Sequence, residues 1–357
     1  MRLAAACEQA GLPMEGIASA IRTGRLSFAF MEAAPYRRWA VRSARTYRQV
    51  SQETGVPLDT LRGALESMGF ARVAPDDRIR EDELEIVPLL QLGLASGVLA
   101  QAWAIRTGRV FTEGLRLAAK VENEVYHARF ELPILESGRD QRETMELAAQ
   151  MGVDFNPLVD RALLAIYRRQ QELTWTEHLV EHVEAALEQD GVLGLPERVP
   201  AMCFLDLVSY TRLTEERGDQ AAAELAASLA TLVDRSSRAC GGMPVKWLGD
   251  GVMFHFREPA GAVLSALAMV EELPIAGLPP AHVGVCAGPV VAQGGDFFGR
   301  TVNLAARVAA QAGAGQGLVT QSVVETAPPP DVTFVELDEV QLKGLFGPVR
   351  VYEARRA

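Results

Sequence analysis

The chain has 357 residues, 48% hydrophobic and 23% charged, which is the composition of a soluble folded protein long enough for two domains. Its formal net charge of −11 argues against wholesale binding to nucleic acid or to an anionic membrane face, but not against a nucleotide that carries its own metal ions. Four scattered cysteines (Cys7, Cys203, Cys240, Cys286) show no Cys-x-x-Cys spacing, so neither a zinc site nor a disulfide framework is expected and a reducing, cytoplasmic setting fits.

Residues 1–190 read as mostly helical. The opening MRLAAACEQAGLPMEG is too polar for a signal peptide. The stretch TYRQVSQETGVPLDTLRGALESMGF has the form of a helix-turn-helix, with Thr46 or Ser51 as caps and Gly55 in the turn. Arg37, Arg38, Arg42, Arg45 and Arg48 lie at its start, which keeps DNA binding open as an alternative role. Ile86 to Ile105 is free of charge for 20 residues, enough to span a bilayer. Pro88, Gln91, Gln101 and the glycines 93 and 97 interrupt it, so two short buried helical pieces joined by a turn are expected. Leu158, Leu163, Ile166 and Leu173 recur at helical spacing, and residues 174–190 read as a connecting helix. That helix carries His178 and His182 on one face. As a metal pair they lack a third ligand, and two solvated side chains or a titrating switch are the remaining readings.

DGVLGLPERVP marks the boundary, with a linker at 191–198. From 199 to 357 short apolar strands (AMCFLDLV, PVKWL, VMFHF, HVGVC, PVVAQ) alternate with helical segments such as DQAAAELAASLATLVDRS, the pattern of an α+β or α/β domain. Three segments there carry chemistry. FLDLVSYT delivers Asp206 at the end of an apolar strand, before a polar turn (Ser209, Tyr210, Thr211) able to offer N–H groups to phosphate. VKWLGDGVMFHF is a hairpin with Asp250 at its tip. If the two strands pair, the two carboxylates converge and can hold two hard divalent cations for an in-line phosphoryl displacement. GGDFFGRTVNLAARVAA places Asn303 and Arg307 four apart on one helix face, where an amide and a guanidinium suit a pentavalent phosphate and its sugar.

These segments resemble the catalytic domain of class III adenylyl cyclases over residues 199–354. The resemblance implies metal binding by Asp206, Asp250 and the backbone of Leu207, base selection by Lys246 and Asp296, transition-state contacts by Asn303 and Arg307, and phosphate binding by Lys343. Phe298 and Cys286 depart from the residues common in that family and are read as packing. It further implies a ferredoxin-like core, an antiparallel sheet with helices on one face, and a head-to-tail homodimer. In that dimer one chain offers Asp206 and Asp250, and the other offers the base and phosphate groups. Two Mg²⁺ or Mn²⁺ ions per site would activate the ribose 3′-hydroxyl of ATP, giving cyclic AMP and pyrophosphate, with water or substrate taking the proton. Residues 1–190 resemble the helical regulatory domain of mycobacterial-type, pH-responsive adenylyl cyclases, which implies an autoinhibitory and dimerising role.

The choice of base also follows from hydrogen bonding. Lys246 can only donate and ionised Asp296 can only accept, which matches adenine N1 and its exocyclic amine and opposes guanine. The run GGDFF superficially resembles the signature of diguanylate cyclases, but Phe297 stands where an acid is needed. A non-catalytic nucleotide sensor or DNA-binding regulator is the competing reading.

Overall fold

The computed structural model describes residues 7–8, 10–24, 26, 41–70, 72–97, 101–190, 199–326, 329–342 and 347–357. They divide into two compact units, Met1–Ala186 and Leu187–Ala357.

Among its described residues the first unit is helical apart from one small antiparallel ribbon, so the expected all-α architecture needs that amendment. After α1 (Met14–Arg22), β1 (Arg42–Thr46) pairs with β2 (Arg78–Arg80) around α2 (Tyr47–Thr54) and α3 (Leu58–Ser67). Thr46 caps α2 through a capping box: its hydroxyl accepts from Gln49 N at 3.2 Å and Gln49 Oε1 accepts from Thr46 N at 2.9 Å. Gly55 ends the helix at φ 72°, a left-handed conformation that glycine adopts without a Cβ clash. Val50, Leu61, Leu65 and Ile79 are fully buried beneath this turn. Four of its arginines are engaged locally. Arg45 pairs with Glu53, Arg48 with Asp76 and Arg72 with Glu66, and Arg62 Nε donates to the Val73 carbonyl. These pairs reduce the positive charge that Arg45 and Arg48 would offer a phosphate backbone. Arg37 and Arg38 lie outside the described residues.

α4 (Glu81–Leu84) leads into the charge-free stretch, which forms α5 (Val87–Ala95) and the start of α6 (Gln101–Tyr126). Val87 and Leu90 are buried as expected, but Leu89 and Leu92 are exposed, so the first piece is buried on one face only, and the second belongs to a 26-residue helix. No described helix is long and apolar enough to cross a membrane. Beyond α7 (Leu132–Glu136) runs α8 (Gln141–Gln189), 49 residues that absorb both the Leu158–Leu173 stripe and the expected connecting helix. The helical spacing is realised, but Leu158, Leu163, Ile166, Leu173 and Trp175 are exposed in the single chain.

The second unit is built on a seven-stranded sheet of order β10-β11-β9-β6-β3-β5-β4. Its first half reads β3 (Ala201–Leu207), α9 (Tyr210–Arg217), α10 (Asp219–Ala239), β4 (Gly242–Leu248), β5 (Gly251–Phe256), α11 (Pro259–Ile275), β6 (Ala281–Ala287). The strand order β6-β3-β5-β4 within this βαββαβ run is the ferredoxin-like arrangement expected. Next come the hairpin β7 (Val291–Gln293) and β8 (Asp296–Phe298), α12 (Arg300–Ala309), β9 (Gly317–Thr320), α13 (Gln321–Val324), β10 (Val332–Glu336) and β11 (Val351–Arg356).

Two expectations about this sheet are corrected. It is not wholly antiparallel, because β6 and β9 run parallel. Nor are its helices confined to one face. Cys203, Leu205, Phe254 and Val285 pack with Leu229, Val233 and Met269 from α10 and α11. Met202, Met253 and Cys286 point the other way and pack with Val302, Ala305 and Val308 of α12. Successive strand residues face opposite sides, so the near-continuous apolar runs of β3, β5 and β6 require cover on both. Gly284 allows α12 to lie close: a Cβ there would sit 2.1 Å from Ala309 N.

Candidate active site

β3 is paired on both sides, with β5 and with β6. This fixes what surrounds its last residues. Asp206 stands opposite Gly251 on one side and His282 on the other. Gly249 and Asp250 form the turn between β4 and β5, with Gly249 at φ 74°. The turn therefore brings Asp250 beside Asp206, as the pairing of the two apolar strands predicts. Burial pushes the Asp250 carboxyl above its ordinary value, and the Asp206 charge adds to the rise, while a backbone hydrogen bond and His282 oppose it. A partly buried carboxyl pressed by a second one is a site that a cation would relieve. Two acidic side chains at one sheet end, with the Leu207 backbone next in line, fit hard divalent ions. Among the described residues no three His, Cys, Asp or Glu side chains are gathered as a metal centre by themselves.

The turn after β3 is strained. Ser209 caps α9 at φ 61°, and it is the one non-glycine residue with positive φ among the described residues. Tyr210 anchors the turn by donating its hydroxyl to the Ala222 carbonyl at 3.1 Å.

His282 was not singled out by sequence reasoning. Its Nδ1 lies 2.6 Å from the Ala309 carbonyl at the end of α12, and its Nε2 lies 3.4 Å from Asp206 Oδ2. The His-Val-Gly-Val string gives no hint of this, because the contact needs β6 paired to β3 in one particular register.

A second cluster forms around β4. Lys246 Nζ donates to Asp296 Oδ2 at 2.8 Å, and Asp296 Oδ1 accepts from Phe297 N at 2.9 Å. The lysine holds the Asp296 carboxyl below its ordinary value, against a smaller opposing effect of burial. The β7–β8 hairpin is secured by Phe297, whose ring stacks on His255 with centroids 4.3 Å apart and planes 5° from parallel. The donor-only and acceptor-only side chains are thus presented together, and both retain exposure to solvent.

On α12, Asn303 and Arg307 are exposed while Val302, Leu304, Ala305 and Val308 are buried. The amide and guanidinium share the outward face, with no hydrogen bond or ion pair among the described residues. Lys343 lies outside the described residues. Cys286 is 2% exposed and part of the core, as packing requires, but Phe298 is 50% exposed and not a packing residue. It lines a cavity of about 630 Å³ that also touches Gly299, Arg300 and Arg350. None of Asp206, Asp250, Lys246, Asp296, Asn303 and Arg307 lines that cavity.

Residues 197–353 match the family described as the adenylate and guanylate cyclase catalytic domain. The chain is 28% identical over 320 residues to a pH-sensitive adenylate cyclase of Mycobacterium tuberculosis, covering 87% of this chain and 77% of the relative. It is 27% identical over 262 residues to an adenylate cyclase of Streptomyces coelicolor, covering 73% of this chain and 65% of the relative. A crystal structure of the adenylyl cyclase CyaB from P. aeruginosa superposes on 45% of this chain and 95% of its own, with 20% identity and a TM-score of 0.40.

Proposed function

We propose, on the premise that residues 197–353 belong to the adenylate and guanylate cyclase catalytic domain family, that the chain converts ATP to 3′,5′-cyclic AMP and pyrophosphate. The observation that carries the choice of base is the Lys246–Asp296 pair, a donor-only group 2.8 Å from an acceptor-only one. Adenine offers an acceptor and a donor in the matching order. Guanine reverses both, and each group left unsatisfied costs about 1–3 kcal/mol.

Asp206, Asp250 and the backbone of Leu207 would hold two divalent ions, Mg²⁺ or Mn²⁺. Such ions, when bound, acidify the ribose 3′-hydroxyl and offset the charge of the triphosphate. Arg307 offsets charge gathering on the α-phosphate as the 3′-oxygen attacks in line, Asn303 orients the ribose, and Lys343 binds the terminal phosphates. No protein side chain is assigned as general base, and water or a substrate oxygen takes the proton. Asn303 and Arg307 are exposed on the outward face of α12, which supports a site shared head to tail between two copies of the chain.

The N-terminal unit restrains the catalytic half and contributes to dimerisation. Its exposed stripe on α8 supports the second role. A pH response is proposed by analogy with the relative that bears that description. Deleting residues 1–190 tests restraint: specific activity unchanged at every pH would end it.

The deciding experiment is to incubate purified chain with ATP or GTP, with Mg²⁺ or Mn²⁺, and to identify the products. Cyclic AMP from ATP is expected. Cyclic GMP as the main product would overturn the base assignment, and binding without turnover would favour a nucleotide sensor.

A further inference from the structure

The cavity of about 630 Å³ lies at the end of β6 remote from the paired acids, and the reaction as described makes no use of it. Along β6, His282 stands opposite Asp206, whereas Cys286 lines the cavity four residues on, about 13 Å further along the strand. From α12 the buried Thr301 and Leu304 face it, while Asn303 and Arg307 are exposed. Cys286 and Phe298 are the two positions at which the sequence departs from the class III pattern, and the fold brings both to this cavity.

The lining carries positive charge. No acidic side chain takes part in it, and two arginines do. Arg350 shares its Nε–H with Glu339 Oε1 at 3.1 Å, and Arg300 makes no hydrogen bond or ion pair among the described residues. Burial pushes the Cys286 thiol above its ordinary value, against weaker opposing effects of Thr320, Ser322 and Arg300, so the thiol adds no negative charge.

The hydroxyls of the wall cannot take an anion. Thr301 donates to the Pro289 carbonyl at 2.7 Å and Ser322 to the Ala287 carbonyl at 2.9 Å. The Ser322 proton is thus committed, so Thr320, 2.9 Å away, is the donor of their mutual contact. All three protons are spent within the protein, and these oxygens offer a ligand lone pairs alone. Attraction for negative charge is left to the arginines. Val290, Val291, Phe298 and Val349 supply apolar surface beside them. The volume falls within the range of about 300–1,000 Å³ typical of small-molecule sites.

We propose that this cavity binds an organic anion with an apolar body, its carboxylate held by Arg300 and Arg350 and its hydrocarbon part lying along Phe298, apart from the nucleotide. The inference does not depend on the proposed reaction, because it is read by binding.

The test titrates the full chain with 4-phenylbutyrate and with two isosteres, 4-phenylbutanol and 4-phenylbutylamine, followed by ligand-observed NMR. The carboxylate should bind about 10-fold or more tightly than either isostere, because an arginine–carboxylate contact is charge-assisted. Arg300→Gln should remove most of that advantage and leave the alcohol unchanged. Val291→Trp, at a wall residue that is 60% exposed, should fill the space and weaken binding of the carboxylate at least as much. Saturating non-hydrolysable ATP analogue should leave the phenylbutyrate affinity as it was. No binding of phenylbutyrate overturns the proposal, as does equal binding of the alcohol. So does an affinity that neither variant changes, which would place the ligand on an apolar surface elsewhere. Displacement by the ATP analogue would assign the cavity to the nucleotide and overturn the separate site. If Val291→Trp fails to fold, Arg300→Gln, a change at an exposed side chain, decides alone.

Discussion

Lys246 and Asp296 lie 50 residues apart in the chain and 2.8 Å apart in the fold. The contact joins an edge strand to the β7–β8 hairpin, and the Phe297–His255 stack holds that hairpin in place. Two side chains of opposite hydrogen-bonding character are thereby set side by side without depending on a ligand.

If that pair reads the base, inverting its character should invert the preference. Lys246→Glu with Asp296→Asn replaces a donor by an acceptor and supplies a donor in place of the carboxylate. The kcat/KM for ATP should fall about 100-fold or more, from two mismatches of about 1–3 kcal/mol each, while that for GTP rises relative to it. Initial rates with both nucleotides decide. An unchanged ratio would remove these residues from base recognition.

The same pair makes a pH-dependent contribution to stability. The folded Asp296 carboxyl titrates below its ordinary value of 3.8. The stabilisation is therefore complete above that ordinary value and disappears as the pH falls through the lowered one. Lys246 is about half exposed, so screening limits the effect to under ~1 kcal/mol. Urea midpoints measured from pH 6 down to pH 3 should fall less steeply in Asp296→Asn than in the wild type.

A site shared between two chains makes a specific prediction about mixtures. Asp206→Asn and Arg307→Ala should each be nearly inactive alone. Mixed and reassembled, half the dimers would carry both variants, and each of these would regain one intact site of two. Activity should recover to roughly a quarter of the wild-type level. Two variants that fail to complement would place both groups in a site within one chain.

Gly284 lies where α12 crosses β6. An alanine Cβ there would be 2.1 Å from Ala309 N and 2.6 Å from the Ala305 carbonyl, both backbone atoms that cannot swing aside. Gly284→Ala should cost about 1–3 kcal/mol in chemical denaturation. Because the displaced helix carries Asn303 and Arg307, kcat should fall in the fraction that remains folded. Gly295→Ala has open space but sits at φ 77°, so it should cost mainly local backbone strain.

The order of apolar strands, the Gly-Asp turn and the helical spacing of Asn303 and Arg307 are properties of neighbouring residues, and the sequence by itself determined them. So were the capped α2 and its glycine stop, because capping is chemistry within four residues. What surrounds those elements was decided only in three dimensions. The apolar stripe of α8 identified a helix but not what covers it. Arg45 and Arg48 belong to a basic run in the sequence, but the fold pairs them with Glu53 and with Asp76, 28 residues away. Strand pairing placed α12 over the second face of the sheet and set His282 beside Asp206, a partner 76 residues earlier. Periodicity records which side of an element is apolar. It carries no record of which distant backbone will lie against that side, because register is fixed by the packing of the whole sheet.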